Sequence, residues 1–208
     1  MKNRIEALER SSRVLAPILW ESNCLDFGHF TLTSGKTSPY YVDLRLLPSH
    51  PKLFDTATDM AARLLEEVDL EFDRVCAVPT GGLPLGTLLA HKCESPLTYV
   101  RKKGKEHGEE QQIEGELDPG DRVLVVDDLI TTGGSILTAI DALRLAGAEV
   151  NDCIVLLDRT QGGKKNLAKE DVKLHKVANI GPLVEELFTL NKISSSMRDE
   201  VKNYLQER

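Results

Sequence analysis

The segment with the clearest chemical signature follows the most apolar run of the chain. Two carboxylates, Asp127 and Asp128, come directly after residues 122–126, and a Gly-rich turn leads from them into a helix-like pattern. Glycines let a turn expose consecutive N–H groups, and a helix N-terminus adds unpaired donors and partial positive charge. The turn residues that we expect to cradle a phosphate are Thr131, Thr132, Gly133, Gly134 and Ser135.

The two acids suit a sugar or a metal better than the phosphate itself. Carboxylates accept hydrogen bonds from sugar hydroxyls and contact Mg²⁺, whereas they repel phosphate oxygens. An acid pair beside a phosphate cradle therefore predicts a ribose phosphate as ligand. The alternative is an ordinary Gly-rich turn followed by a helix, with a solvated acid pair.

Basic side chains are concentrated in one short segment. Five basic or potentially basic residues occur within seven positions, namely Arg101, Lys102, Lys103, Lys105 and His107. The formal net charge of the chain is −7, so this cluster predicts a local positive field for a polyanion. A solvated loop is the alternative, because glutamates are intermixed with the bases. A second Gly-rich turn, Thr80-Gly81-Gly82, is compatible with a ligand site or with a plain turn.

These segments need a parallel sheet to bring them together. Apolar, strand-like runs alternate with helix-like patterns, which is typical of βαβ crossovers in an α/β fold with a parallel sheet flanked by helices. Ligands of such sheets bind beyond the carboxyl ends of the strands, where the segments above lie. The predicted strands are 74–79, 96–101, 122–128, 149–159 and 173–179. The predicted helices are 51–68, 84–92, one after the Gly-rich turn, 182–190 and 197–206.

The N-terminal part differs in pattern. Residues 4–22 predict a helix or a pair of helices around Pro17, and two β-rich pieces then flank the turn SGKTSP. We interpret the 208 residues as one domain, with 1–50 as a small N-terminal subdomain and 51–208 as the α/β core.

Composition excludes several classes of function. No run approaches the ~20 apolar residues of a membrane span, and the charged N-terminus does not resemble a signal peptide, so a cytoplasmic protein without a membrane role is expected. An acidic chain with a pI of about 5.3 disfavours nucleic acid as a partner. The four cysteines form no CxxC pair, which favours structural roles over zinc binding or disulfides.

The segment VLVVDDLITTGGS resembles the signature with which type I phosphoribosyltransferases bind phosphoribosyl pyrophosphate (PRPP). The resemblance implies that Asp127 and Asp128 face the ribose hydroxyls, and that the loop holds the 5-phosphate. It also implies that Mg²⁺, bound mainly through PRPP, lies close to both acids. Thr80 and Gly81 would approach the pyrophosphate, in some members through a non-proline cis peptide.

Within that family, VRKKGKEHGEEQQIEG is similar to the catalytic loop of the orotate phosphoribosyltransferases. Arg101, Lys102, Lys105 and His107 match its pattern R-K-x-x-K-x-H-G and are expected to bind PRPP. Lys105 and His107, together with Asp128, are the expected catalytic residues. The resemblance also implies a homodimer in which the 102–115 loop of one subunit covers the active site of the other.

Two further segments resemble the orotate-binding parts of the same family. FTLTSGKTSPYYVDLR is similar to the hood over orotate, with Tyr40 and Tyr41 lining the ring, although an aromatic hairpin is more often core. IVLLDRTQGGK matches the segment D-R-x-x-G-G, whose arginine, Arg159, would pair with the orotate carboxylate, while a local ion pair with Asp158 is the alternative. Thr131 would also contact orotate.

The resemblance implies that the protein converts orotate and PRPP into orotidine 5'-monophosphate and pyrophosphate, a step in the biosynthesis of UMP. Three departures from the family pattern bear on PRPP binding and loop motion: Thr33 and Gly81 replace lysines of many members, and Glu109–Gln112 replaces a Gly/Thr-rich stretch. One rival is a purine or uracil phosphoribosyltransferase, against which Arg159 argues because those bases lack a carboxylate. The other rival is a regulator that binds nucleotides without catalysis.

Overall fold

The computed structural model describes residues 2–31, 35, 37–101 and 112–207, with the backbone alone for 2–9. In chain order its elements are α1 (Lys2–Glu21), β1 (Leu25–Thr31), β2 (Thr37–Val42), a 3-10 helix (Leu44–Ser49), α2 (Pro51–Glu67), β3 (Arg74–Ala77), α3 (Gly82–Lys92), β4 (Leu97–Val100), β5 (Ile113–Glu114), β6 (Arg122–Ile130), α4 (Gly134–Leu145), β7 (Glu149–Asp158), α5 (Gly163–Lys169), β8 (Lys173–Asn179), α6 (Ile180–Thr189) and α7 (Ser195–Gln206).

The central sheet has six strands in the order β5-β4-β3-β6-β7-β8. Strand β3 pairs in parallel with β4 and β6, and β6 pairs in parallel with β7. The predicted α/β fold with a parallel sheet flanked by helices is therefore confirmed. Because these four strands run in the same direction, their carboxyl ends meet at one edge of the sheet.

Three short elements were not predicted from the sequence, namely the 3-10 helix Leu44–Ser49, strand β5 and helix α5. Strand β5 lies in the polar part of the chain between the basic cluster and β6, and it pairs antiparallel with β4, so the sheet is not wholly parallel. A two-residue strand has no measurable period, and Ile113 is its one apolar residue. Helix α5 has seven residues, or about two turns, and the side chain of Leu167 is buried. It is too short to show a periodic pattern.

The core of the sheet follows from its apolar strands. All four residues of β3 and five consecutive residues of β6, Val123–Asp127, are buried, as expected for strands covered on both faces. Helix α3 lies so close to β3 that a Cβ at Gly86 would come 2.6 Å from the Cβ of Ala77. Glycine at this position is therefore what permits the close approach of helix and strand.

The chain divides into two compact units. One comprises Met1–Ala57 and Val177–Arg208, and the other comprises Thr58–Lys176. The N-terminal subdomain predicted for 1–50 thus groups with the C-terminal helices. No helix in the described part of the chain is long and apolar enough to cross a membrane.

The first unit is built from helices around a two-stranded hairpin. Helix α1 is continuous, with Pro17 inside it, so the predicted alternative of two helices is wrong. Strands β1 and β2 pair antiparallel, and α7 packs against β2. Tyr40 of β2 meets Tyr204 of α7 edge to face, with 5.9 Å between the ring centroids.

Candidate active site

The phosphate loop predicted at 131–135 lies at the carboxyl end of β6 and leads directly into α4. Gly133 has φ +87°, a left-handed conformation that L side chains rarely adopt, so the turn requires glycine here. The Leu137 N–H donates to the Gly133 carbonyl at 2.9 Å, which begins the helix. Thr132, Gly134 and Ser135 are exposed. The loop therefore offers hydroxyls, backbone donors and a helix N-terminus to an anion.

The acid pair lies within β6, near its carboxyl end, and neighbouring backbone N–H groups hold both carboxylates. The Asp128 N–H donates to Oδ1 of Asp127 at 2.9 Å, and the Leu129 N–H donates to Oδ1 of Asp128 at 2.8 Å. Asp127 is buried and Asp128 is half-buried. These two hydrogen bonds orient both carboxylates before any ligand arrives.

The turn after β3 packs directly onto the acid pair. A Cβ at Gly81 would lie 2.4 Å from Oδ2 of Asp128, and a Cβ at Gly82 would lie 2.9 Å from Oδ1 of Asp127. The peptide bond between Pro79 and Thr80 is cis, as the resemblance implied for some members of the family. The structure therefore brings Thr80 and Gly81 to the same edge of the sheet as the acids.

Arg159 follows β7 at that same edge and is 7% exposed. Its N–H donates to the carbonyl of Ile130 at 3.0 Å, which ties its backbone to the end of β6. The preceding carboxylate, Asp158, accepts from Nζ of Lys176 at 2.5 Å and from the Thr160 N–H at 2.7 Å. Thr160 has φ +55°, so these contacts hold a turn that the residue seldom adopts alone. Lys176 is a supporting residue that no sequence motif marked.

The start of the predicted catalytic loop is held by a short strand pair. The Arg101 N–H donates to the Gln112 carbonyl at 2.7 Å, and Nη1 of Arg101 lies 3.0 Å from Oε1 of Glu114. Arg101 thus stands at the carboxyl end of β4, at the edge that carries the acid pair. Lys102, Lys105 and His107 lie outside the described residues.

The hairpin of the first unit separates the two tyrosines predicted to line orotate. Tyr40 is fully buried and belongs to the core of that unit, whereas Tyr41 is 40% exposed and packs against Phe30, with 5.6 Å between the ring centroids. Consecutive strand residues point to opposite faces, so both rings cannot present themselves to one ligand. The prediction for Tyr40 is corrected accordingly, and Tyr41 is the candidate that remains. Thr33 lies outside the described residues.

Comparison with known proteins agrees with this arrangement. The Phosphoribosyl transferase domain family matches residues 46–186. An orotate phosphoribosyltransferase of Pyrococcus furiosus is 44% identical over 181 residues, which cover 87% of this chain and 97% of that protein. The chain belongs to the orotate phosphoribosyltransferase family. A crystal structure of orotate phosphoribosyltransferase from Aeropyrum pernix has a TM-score of 0.74 and 35% identity, and covers 84% of this chain and 99% of that one.

A longer protein of another name is also similar to this chain. The structure of Leishmania donovani UMP synthase has a TM-score of 0.86 and 36% identity with this chain. The match covers 95% of this chain but 42% of the UMP synthase. The similarity to this UMP synthase therefore extends over almost the whole of the present sequence.

Proposed function

We propose that this chain transfers the 5-phosphoribosyl group of PRPP to N1 of orotate, which gives orotidine 5'-monophosphate and pyrophosphate for UMP biosynthesis. The observation that carries this proposal is the meeting of Arg159 and the loop 131–135 at one sheet edge. A planar guanidinium binds a carboxylate in bidentate fashion, and orotate carries a carboxylate where uracil, adenine and hypoxanthine carry none. A cytoplasmic location stays a prediction.

The ligand roles follow from the chemistry of each group. We assign the 5-phosphate to Thr131–Ser135, the ribose hydroxyls to Asp127 and Asp128, and the pyrophosphate to Thr80 and Gly81. Arg101, Lys102, Lys105 and His107 would bind the pyrophosphate from the other side. Orotate would contact Arg159 and Thr131, and a contact of orotate with Tyr41 stays a prediction.

The residues present fit a magnesium ion shared with the substrate. In the described part of the chain, no three His, Cys, Asp or Glu side chains come together as a metal site. Mg²⁺ is commonly bound by one or two carboxylates together with substrate phosphates, and the oriented pair Asp127–Asp128 supplies those carboxylates. The ion would neutralise charge on the pyrophosphate and the sugar oxygens.

The reaction breaks the bond between C1 and the pyrophosphate oxygen, whose electron pair leaves with pyrophosphate. N1 of orotate bonds to C1 and gives up its proton to water or to the departing pyrophosphate. Positive charge develops on the sugar and negative charge on the leaving group. Carboxylates at the ribose and positively charged side chains at the pyrophosphate match this charge pattern. Catalysis would therefore come mainly from orientation and electrostatic stabilisation. Lys105 would stabilise the leaving group, and His107 would donate a hydrogen bond or a proton to it.

The test follows orotate absorbance with purified protein, PRPP and Mg²⁺, with uracil, adenine and hypoxanthine as parallel bases. We expect loss of orotate that requires both PRPP and Mg²⁺. The variant Lys105→Ala should lower kcat by about 10²-fold or more with little change in orotate affinity. Activity on another base alone, or an unchanged kcat in Lys105→Ala, would contradict the proposal.

The proposed homodimer with a shared 102–115 loop has a separate test. Lys105→Ala and Arg159→Ala are each expected to be inactive, and they are mixed after reversible dissociation. Random reassociation of equal amounts makes half of the dimers mixed. If the loop acts across the dimer, each mixed dimer carries one intact site. About a quarter of the wild-type activity should then return. No recovery, although mixed dimers form, would show that the loop serves its own subunit.

A further inference from the structure

Three successive carbonyl groups at the start of the phosphate loop accept hydrogen bonds from one neighbouring segment. The Ile130 carbonyl accepts from the Arg159 N–H at 3.0 Å, and the Thr131 carbonyl accepts from the Gly163 N–H at 2.9 Å. The Thr132 carbonyl accepts from Nδ2 of Asn166 at 3.0 Å. Two of these donors are backbone groups, and the third is a side chain.

The close approach of the two segments depends on Gly163. A Cβ at this position would lie 2.5 Å from Cγ1 of Ile130 and 2.6 Å from the Thr131 oxygen. Such distances are too short for any side chain, and one of the two atoms belongs to the backbone. Residues 159–166 therefore lie directly against the loop backbone rather than beside it.

These contacts determine where the loop donors point. In a trans peptide the C=O and the following N–H point in opposite directions. The one cis peptide in the described residues lies at Pro79–Thr80, away from this loop. A carbonyl held by residues 159–166 thus directs the next N–H away from that segment. The donors oriented in this way are those of Thr131, Thr132 and Gly133.

We propose that Asn166 is a positioning residue of the phosphate loop, which acts by holding the Thr132 carbonyl so that the Gly133 N–H points to the 5-phosphate of the substrate. This inference rests on the proposed assignment of residues 131–135 to that phosphate. Asn166 is not a ligand itself. Of the three donors to the loop carbonyls, two are backbone N–H groups and the third is the amide of Asn166. The hydrogen bond of Asn166 is therefore the one that a side-chain substitution can remove.

Neighbouring contacts support the orientation of the Asn166 amide. Nζ of Lys169 donates to Oδ1 of Asn166 at 3.3 Å, which leaves the NH₂ group directed to Thr132. Replacement by alanine removes the donor. Replacement by aspartate places a negative oxygen against the Thr132 oxygen and turns attraction into repulsion. A residue that merely supported α5 would respond to the two changes alike, since both leave the helix intact.

The experiment measures binding of ribose 5-phosphate and of pyrophosphate separately, by calorimetry, to wild-type protein, Asn166→Ala and Asn166→Asp. The hydrogen bond is exposed to solvent, so we expect Asn166→Ala to weaken ribose 5-phosphate about three- to tenfold. Asn166→Asp should weaken it further, and pyrophosphate affinity should not change. In turnover, the KM for PRPP should rise by a similar factor, with the melting temperature retained.

The outcomes separate this inference from the proposed function. Equal ribose 5-phosphate affinity in all three proteins would overturn the role of Asn166 while the orotate assay still stands. A parallel loss of both affinities together with a lower melting temperature would show a structural role and would also overturn it. Wild-type protein that binds no ribose 5-phosphate would instead refute the assignment of the loop.

Discussion

Gly81 and Gly82 form a pair whose alanine variants should fail in different ways. Both glycines pack against the acid pair, but their missing side chains would meet different atoms. The three atoms nearest to a Cβ at Gly81 would all belong to the carboxylate of Asp128, with Oδ2 at 2.4 Å. A Cβ at Gly82 would meet the Val126 carbonyl oxygen at 2.7 Å and Cα of Asp127 at 2.9 Å. The first neighbour is a side chain that can rotate, and the second is strand backbone.

Gly81→Ala should therefore impair function and spare the fold. Ordinary contact begins near 3.4 Å, so the Asp128 oxygen must move by about 1 Å from its 2.4 Å position. A misplacement of this size at a reacting centre can cost about 10²-fold in rate. We expect kcat/KM for PRPP to fall by about that factor. The melting temperature should change by less than about 2 °C, because the carboxylate rotates without disturbing the sheet.

Gly82→Ala should lower stability as well. The backbone of β6 cannot rotate away, so α3 must retreat from the sheet, and such overpacking typically costs about 1–3 kcal/mol. For a protein of this size each kcal/mol lowers the melting temperature by about 2–4 °C. The expected decrease is thus about 2–12 °C, together with a loss of activity.

Steady-state kinetics at varied PRPP and thermal unfolding of the same preparations check both expectations. Gly181→Ala in α6 is the matched control, because its Cβ would lie 3.8 Å from Cδ1 of Leu205 in α7, which is an ordinary van der Waals contact. Alanine there should keep wild-type kinetics and change the melting temperature by less than about 2 °C, because Gly181 lies in the first turn of α6. A Gly81→Ala enzyme with wild-type kcat/KM would refute the reasoning, since Asp128 would then not act from its present position.

Three further predictions concern groups away from the ligand. Lys176→Met leaves the buried Asp158 carboxylate without its cation and should cost about 3 kcal/mol in urea unfolding, with a raised KM for orotate but an unchanged pyrophosphate affinity. Acid should weaken the fold through Asp73, because hydrogen bonds from Arg122 hold the pKa of this carboxyl below its ordinary value of 3.8. Around this pH the folded state binds fewer protons than the unfolded state, so the stability from Asp73 is present above pH 3.8 and is lost below it. As the pH is lowered through this range, the urea midpoint of Asp73→Asn should fall less than that of the wild-type protein. Iodoacetamide should label half-buried Cys93 before the three buried thiols, as peptide mass spectrometry will show. Burial raises the pKa of Cys93 as it does those of Cys76 and Cys153, so the expected order follows from access of the reagent to the sulfur.

The sequence allowed most of the sheet to be predicted because its strands are buried on both faces. Continuous apolar runs such as Val123–Val126 and Ile154–Leu157 can be recognised as buried strands from the sequence alone. The residues directly after such runs were then placed correctly at one edge. Strand β5 escaped prediction for the converse reason, since its pairing with β4 depends on neighbours in space and not on its own composition.

The hairpin shows a second limit of motif reasoning. The motif places two consecutive tyrosines in the orotate-binding segment, whereas strand geometry allows only one of them to face a given side. Tyr40 packs on Tyr204, which lies far away in the sequence, and no local pattern reveals that contact. Because side chains alternate between the two faces of a strand, the sequence could have shown that only one of the two tyrosines contacts orotate. It could not have shown which one.

Residues that support the site differ from ligand residues in what the sequence can reveal. The loop at 130–132 is held through its carbonyl oxygens, and a carbonyl oxygen is the same at every position of the chain. Its partner therefore needs only a donor within reach, which asparagine supplies here and other donor side chains could supply equally well. Gly163 has no such freedom, because any Cβ would collide with the Thr131 oxygen. Random mutagenesis selected for activity should therefore leave glycine invariant at 163 while it admits several hydrogen-bond donors at 166.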